Sequence, residues 1–327
     1  MGDGATPTAM SLGYSDSPLI ARLRAGRRIT VLLLGYGGPG HDGAYLTDSL
    51  EVVSADPASG TLTIISIPRD LWVAIPAVAG QGAHWGKLNE AYAVGVGTGD
   101  PRTSADSYDR HAAGGALASK VVAQVLGLPI DYWVSMDFIG FKQFIDALGG
   151  VDVDVAQAFT DDHYPNNDDA NLDPSYRTIH FDAGVQHMAG ATALTFARSR
   201  YAPEDGSDFG RARRQQLLLA GVARQLSSVE ALPKAFGLLD ALQGHLHTSF
   251  ALGELHDLAG WAQERAATGQ RPSFRGGLVD TTTLLVEDTS PTGQSILLPV
   301  AGQGEYTAIH RYVQHLLVAG RTPTVAP

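Results

Sequence analysis

The segment FARSRYAPEDGSDFGRARRQQ places five arginines, Arg198, Arg200, Arg211, Arg213 and Arg214, close together in a chain that is otherwise poor in cations. A forked guanidinium presents paired N–H donors to phosphate oxygens, and a helix N-terminus adds free backbone amides to the same task. A helix starting near Asp208 sets Arg211 and Gln215 four residues apart on one face, with Arg214 adjoining, while Leu217, Leu218 and Val222 bury the rest. Arg198 and Arg200, alternate residues on an extended exit from the preceding helix, share one side. The pattern fits an anion site. It fits equally a surface face on which these arginines pair with Glu204, Asp205 and Asp208.

A second anion candidate is Arg69 in SIPRD (66–70), at the carboxyl end of an apolar run, where α/β folds collect ligand groups. Its alternative is an exposed strand-end charge. KLNEAY (87–92) sets Lys87 and Asn89 in a short helical pattern that reads as a site wall or as an ordinary helix start.

These residues need a scaffold. ITVLLLG (29–35) reads as a strand buried on both faces, and the following GYGGPGHDGAYLTDS is a glycine-rich, site-forming loop. Residues 50–54 and 61–67 form a hairpin about ADPASG. Helical spacing at 116–126, a strand YWVSMD (132–137), a helix over 138–148 and an alternating strand VDVDV continue the pattern. The acidic stretch 156–177 lacks periodicity and reads as a long solvated loop; without a glycine at the required position it does not match an EF-hand. Helices at 187–198, 211–227 and 252–267, strands TTLLVED and SILLPV, and a helix over 306–319 complete the chain. The expected fold is α/β, a single large three-layer αβα domain with a mixed central sheet over 29–320. Residues 1–28 are expected to be a flexible leader and 321–327 a flexible tail.

The 327 residues suffice for a large core. A formal charge of −11 has the wrong sign for electrostatic wrapping of nucleic acid, so any basic site is local and no nucleic-acid partner is expected. The chain has no cysteine, which excludes disulfides, thiol catalysis and thiolate-bound zinc. No run of about 18 apolar residues is present, so the chain as given is expected to be soluble.

Taken in order, LLLGYGGPG, LTDS, SIPRD, KLNEAY, DFIGFKQFIDALGGVDV, ARSRY and DFGRARRQQ resemble the LytR-CpsA-Psr family of bacterial envelope proteins, over residues 29–228. The resemblance implies a phosphotransferase that moves a glycopolymer from a polyprenyl pyrophosphate carrier onto a peptidoglycan acceptor, with a possible pyrophosphatase side activity. It implies an extracytoplasmic protein at the membrane surface, anchored in its full-length parent. Arg69, Arg198, Arg200, Arg211 and Gln215 match the positions that grip the carrier's phosphates, and Asp48 matches a metal-binding carboxylate for Mg2+ (or Mn2+). Arg69, Arg198, Arg200 and Asp48 are thereby the implied catalytic set, in a reaction that consists mostly of positioning and charge neutralisation.

This chain departs from the family pattern at Tyr36, where an acidic residue is usual, and at Leu46, where arginine is. Tyr36 stands twelve residues before Asp48, so an aspartate there is expected to complete a two-carboxylate site; in its absence Asp42 is the candidate second ligand. A lipid groove is expected beside helices 116–126 and 138–148. The competing function is a non-catalytic carrier-binding protein; a transcriptional regulator is disfavoured by the acidic charge.

Overall fold

The computed structural model describes residues 17–41, 43–97, 108–166, 175–204, 206–226, 242 and 244–318. Its centre is a six-stranded mixed sheet built from β1 (Ile29–Tyr36), β2 (Thr47–Asp56), β3 (Thr61–Ser66), β6 (Tyr132–Asp137), β11 (Leu246–Thr248) and β12 (Ser273–Leu278), in the order β11-β6-β1-β2-β3-β12. β1 runs parallel to β6 and antiparallel to β2, which pairs antiparallel with β3, and β3 is parallel to β12. The carboxyl ends of β1, β3 and β6 and the start of β2 therefore meet at one edge of the sheet, where β/α folds bind ligands.

Alternation along β1 separates two faces. Leu32, Leu34 and Tyr36 join the main core beneath α2 (Glu90–Val96), α3 (Tyr108–Leu126) and α8 (Thr307–Val318). Leu33 and Gly35 face the opposite way, toward α4 (Phe138–Ala147), α5 (Gly190–Arg198) and α6 (Asp208–Leu226). Farther along that second face, α1 (Pro18–Arg24) and α7 (Leu252–Ala267) pack near Val31, Tyr132 and Val134. This is the expected three-layer αβα arrangement about a mixed sheet. Four antiparallel pairs flank it: β4 (Trp72–Ile75) with β5 (His84–Lys87), β7 (Val151–Val155) with β10 (Gly184–Met188), β8 (Phe159–Pro165) with β9 (Tyr176–Phe181), and β13 (Leu285–Thr289) with β14 (Ser295–Pro299). Among the described residues, no helix is long and apolar enough to cross a membrane.

Several expectations are corrected. The leader expected through residue 28 contains a helix, α1, that starts at a Ser17 cap and a first-turn proline and buries Leu19, Ile20 and Leu23. The expected loop 156–177 contains strand β8 and the first residues of β9, because Phe159, Asp161 and Tyr164 turn inward while the polar residues between them face out; Asn167–Asp173 lie outside the described residues. KLNEAY is divided, Lys87 closing strand β5 and Asn89 preceding α2. Helix 116–126 belongs to α3 in the main core, so it lines no groove on the other face; of the two helices expected there, only α4 does.

Leu23 is 3% exposed in a segment expected from sequence to be a flexible leader. Leu23→Ala is expected to cost about 2–5 kcal/mol of unfolding free energy, measured by urea denaturation. A change near zero would show that α1 is not part of the cooperative fold.

Candidate functional site

One cavity of about 340 Å3 opens between the second sheet face and α4, α5 and α6. Its interior is apolar: Leu33, Val134 and Met136 from the sheet, Phe141 and Phe144 from α4, Leu194 from α5, and Leu218, Leu219 and Val222 from α6. Its polar lining is Asp48, Arg69, Arg198, Arg200, Arg211 and Gln215 together with Glu51, Asp137, Asp161 and His163. All five residues expected on an anion, and Asp48, thus line a single space.

Each arginine arrives by a different local device. Arg69 follows β3 in a turn closed by the Leu71 N–H on the Pro68 carbonyl, and it ion-pairs with Asp48 and, at 3.4 Å, with Asp70. Lys87 and Asn89 do not line the cavity, contrary to the expectation of a site wall. They buttress the Arg69 turn from behind: Lys87 Nζ lies 2.6 Å from Asp70 Oδ1, the Asn89 N–H donates to the Arg69 carbonyl, and the Thr47 N–H donates to the Asn89 carbonyl. Arg198 closes α5, its guanidinium 4.4 Å from the centroid of Phe138 and 5.9 Å from that of Tyr164. The buried stripe of α6 runs Arg211, Arg214, Leu218, Val222, so helical periodicity carries Arg211 into the cavity. Gln215 bridges β2 and α5, accepting from Ser49 Oγ at 3.2 Å and donating to the Ala197 carbonyl at 3.3 Å.

Two carboxylates hold this cationic group in place. Asp208 pairs with Arg200 at 2.9 Å and with Arg211 at 3.1 Å. Burial pushes its carboxyl upward, but Arg211, Arg200 and Arg69 outweigh that and hold it below the ordinary value. Burial lowers the Arg211 guanidinium to about 10, with Arg69 and Arg200 pushing the same way against Asp208. Burial also pulls Arg69 down, but Asp48 and Asp70 raise it overall. Asp161, fully buried, accepts from Ser199 Oγ at 2.7 Å and from the N–H groups of Arg200, Tyr201 and His163. Desolvation opposes its charge, yet these bonds keep its pKa below the usual range. Arg214 is buried, donating to the Ser199 carbonyl and stacking 4.8 Å over Phe159, so it shapes the Ser199–Tyr201 segment. Arg213 is exposed.

Sequence reasoning named Asp208 only as a salt-bridge partner and missed Asp161, Asp137 and Glu51. For Glu51 a signal existed: a carboxyl within the otherwise apolar run LEVVS, unexplained by any turn. It is 2% exposed, pairs in register with Ser66, and accepts from Ser66 Oγ at 2.6 Å; Gln216 in turn donates to that hydroxyl.

Asp48 is the expected metal carboxylate present here, and its Oδ1 is engaged by Arg69. Asp42 lies outside the described residues. Among the described residues no group of three or more His, Asp or Glu is placed to hold a metal ion. One carboxylate beside the arginines nevertheless fits magnesium, which takes one or two protein carboxylates and fills its shell with substrate phosphate and water. The expectation for Tyr36 is corrected. Its ring is 1% exposed on the opposite face, 5.3 Å from Tyr92 and 5.8 Å from Tyr45, so an aspartate there would sit among aromatic rings instead of joining Asp48 in the cavity.

A sequence profile of the LytR_cpsA_psr family matches residues 14–271. The chain belongs to the LytR_cpsA_psr family. It is 30% identical over 230 residues to the polyisoprenyl-teichoic acid–peptidoglycan teichoic acid transferase TagU of Bacillus anthracis, an alignment covering 70% of this chain and 63% of TagU. The chain thus spans under two thirds of that relative's length. Among solved structures it superposes on B. subtilis TagV with a TM-score of 0.61 at 24% identity, over 89% of this chain and 98% of that one. It superposes on TagT bound to LIIa-WTA with a TM-score of 0.57 at 20% identity, over 89% and 91% of the two chains. At these identities the superpositions establish a shared fold.

Burial raises the Glu51 carboxyl from 4.5 to about 8, against the opposing pulls of Ser66 and Arg211. The folded chain therefore keeps a proton that the unfolded chain loses near 4.5, and stability falls as pH rises between those values, by at most about 1.4 kcal/mol per unit. Glu51→Gln removes this loss. Its advantage in melting temperature over wild type is expected to grow from pH 5 to pH 8 and to be flat below 4.5; a pH-independent difference would mean that Glu51 is ionised in the folded protein.

Proposed function

We propose that this protein is a phosphotransferase that moves a glycopolymer from a polyprenyl pyrophosphate carrier onto peptidoglycan. The observation that carries the reading is a single cavity with an apolar interior and a guanidinium-lined mouth, which matches an amphipathic ligand having a hydrocarbon tail and a pyrophosphate head. The name of TagU, a polyisoprenyl-teichoic acid–peptidoglycan transferase, and the LIIa-WTA bound by TagT support the same substrate class.

In this reading Arg69, Arg198, Arg200 and Arg211 share the pyrophosphate oxygens, and Gln215 directs its fixed amide beside them. Phosphoryl transfer demands little covalent chemistry from a protein; preorganised donors aimed at the equatorial oxygens stabilise the transition state because they need no reorganisation as charge redistributes. Asp208 keeps Arg200 and Arg211 poised in the absence of ligand and lets go of part of that contact as phosphate oxygens arrive. The phenylalanines of α4 and the leucines of α6 take the prenyl chain and exclude water from the leaving group. Asp48, with Asp42 as a second candidate, would hold a Mg2+ or Mn2+ ion. Such an ion would supply charge neutralisation at the pyrophosphate. With no acceptor bound, water in its place gives pyrophosphatase activity. The protein works outside the cytoplasm at a membrane surface, since carrier and acceptor meet there, and its full-length parent is membrane-anchored. A carrier-binding protein without transfer is the second reading, favoured by the pairing of Asp48 with Arg69.

Arg198→Ala is expected to lower kcat/KM for transfer from a prenyl pyrophosphoryl saccharide roughly a hundred- to a thousandfold, with a melting temperature near wild type. A mutant that melts early but transfers normally while folded would make Arg198 a structural residue. Asp48→Asn is expected to raise the magnesium concentration giving half-maximal activity by about tenfold or more. Wild type that binds the carrier in calorimetry yet gives no product at any magnesium concentration would favour the second reading.

A further inference from the structure

The prenyl chain and the pyrophosphate have their places in the cavity, but the sugar that the pyrophosphate carries has none. The lining changes character from the inside outward. Leu218 is 2% exposed, the Arg200 side chain is 34% exposed, and Tyr201, the next residue in sequence, is 58% exposed while still lining the same space. His163 lines it too, with a side chain 62% exposed. Hydrocarbon, guanidinium and then amphipathic rings thus follow one another toward solvent, the order in which tail, pyrophosphate and saccharide follow one another along the donor.

Tyr201 and His163 belong to a group of rings. The His163 ring stands 5.7 Å from that of Tyr176 and 6.2 Å from that of Tyr201, tilted by 54° and 56°, so neither pair stacks face to face. Tyr176 is as open to solvent as Tyr201. Of the three exposed Trp and Tyr residues among the described residues, Trp85, Tyr176 and Tyr201, two therefore flank one imidazole beside the cavity. Single exposed apolar side chains are ordinary, whereas a contiguous group at a cavity rim marks a contact surface.

These rings rest on the same support as the phosphate site. The Asp161 carboxylate, whose Oδ2 accepts from the Arg200 and Tyr201 N–H groups, also accepts from the His163 N–H through Oδ1 at 3.0 Å. One buried carboxylate thereby fixes the backbone of a cavity arginine and of two rim rings together. Tyr164, next to His163, is buried with the Arg198 guanidinium 5.9 Å and the Arg177 guanidinium 5.3 Å from its centroid. Tyr176 pairs with Pro165 across the β8–β9 hairpin, and Asn166 Nδ2 ties the two strands by donating to Ser175 Oγ at 2.7 Å.

The geometry points to a saccharide subsite formed by Tyr201, His163 and Tyr176 and occupied by the first sugars of the donor glycan, an inference that rests on the transferase reading above. A pyranose carries polarised C–H groups on its faces and hydroxyls around its edge. The C–H groups lie on the negative face of an aromatic ring. The hydroxyls find partners in the phenols and in the Asp162 carboxylate, which is 65% exposed and lies 2.6 Å from His163 Nδ1. Tyrosine also offers broad contact at little conformational cost, since two torsions fix it. A prenyl chain has the apolar interior and gains nothing from phenol and imidazole edges. The donor sugar, bonded to the pyrophosphate, reaches Tyr201 first because Tyr201 adjoins Arg200 and shares its Asp161 support.

Calorimetry with two ligands, a short-chain prenyl pyrophosphoryl disaccharide and the same prenyl pyrophosphate without sugar, separates the subsite from the rest of the cavity. Tyr201→Ala is expected to weaken binding of the disaccharide ligand about tenfold and to leave the bare ligand within about twofold of wild type, which also reports an intact fold. Tyr201→Phe, which keeps the ring, should restore most of the loss, and Tyr176→Ala should show the same selectivity with a smaller effect. An equal loss for both ligands, or unchanged binding of the disaccharide ligand in both alanine variants, overturns the subsite. A transfer assay in which Tyr201→Ala raises the KM of a peptidoglycan oligosaccharide while donor binding is unchanged overturns it too, giving the rings to the acceptor. Wild type that binds neither ligand overturns the transferase reading itself.

Discussion

Four guanidinium groups in one cavity repel one another, and the fold depends on how that repulsion is offset. Asp208 neutralises Arg200 and Arg211 from within α6, Asp48 and Asp70 hold Arg69, and the rings of Phe138 and Tyr164 receive Arg198. Asp161 acts on the backbone, gathering the N–H groups of Arg200 and Tyr201 so that the chain leaves α5 with its side chains aimed at the mouth. The four guanidiniums gather donors for an anion in one place on a protein whose total charge is −11.

The sheet supplies the second constraint. Its alternation assigns one face to a closed core under α2, α3 and α8 and leaves the other face roofed at a distance by α4, α5 and α6, so an apolar cavity forms directly behind the charged mouth. Glu51 lies between the two environments. Its proton keeps the throat neutral, and the Ser66 hydroxyl, itself held by Gln216, donates to its Oε2 without bringing a second charge inward. A buried anion there would compete with a phosphate for Arg211.

The same logic explains why the site is divided among so many elements. The arginines come from the turn after β3, the end of α5 and the start of α6, all set at the carboxyl edge of the parallel strands, and Asp137 comes from the end of β6.

Sequence alone determined the parts that depend on local chemistry. β1, β6, β7 and α4 were legible from runs and periodicity, and the arginines announced themselves by clustering in an acidic chain. The motif order also carried the family. What it could not carry is which side of a strand a residue takes once bulges and partners are fixed: Tyr36 and Asp48 lie at matching sequence spacing, yet the register shift after Gly35 and the alternation of β1 send the tyrosine into the aromatic core. Lys87 and Asn89 likewise share a motif with the site but stand behind it. The β8–β9 hairpin was hidden because its inward residues, Phe159, Asp161 and Tyr164, are spaced irregularly across a register shift. Asp161 and the Asp137–His245 pair have no signature in sequence, and Glu51 only that of a carboxyl in an apolar run, since their surroundings come from burial and from partners such as Ser199, Ser66 and a histidine over a hundred residues away. Desolvation and long-range hydrogen bonding exist only once the chain has packed, and that is the physical reason these roles belong to the tertiary structure.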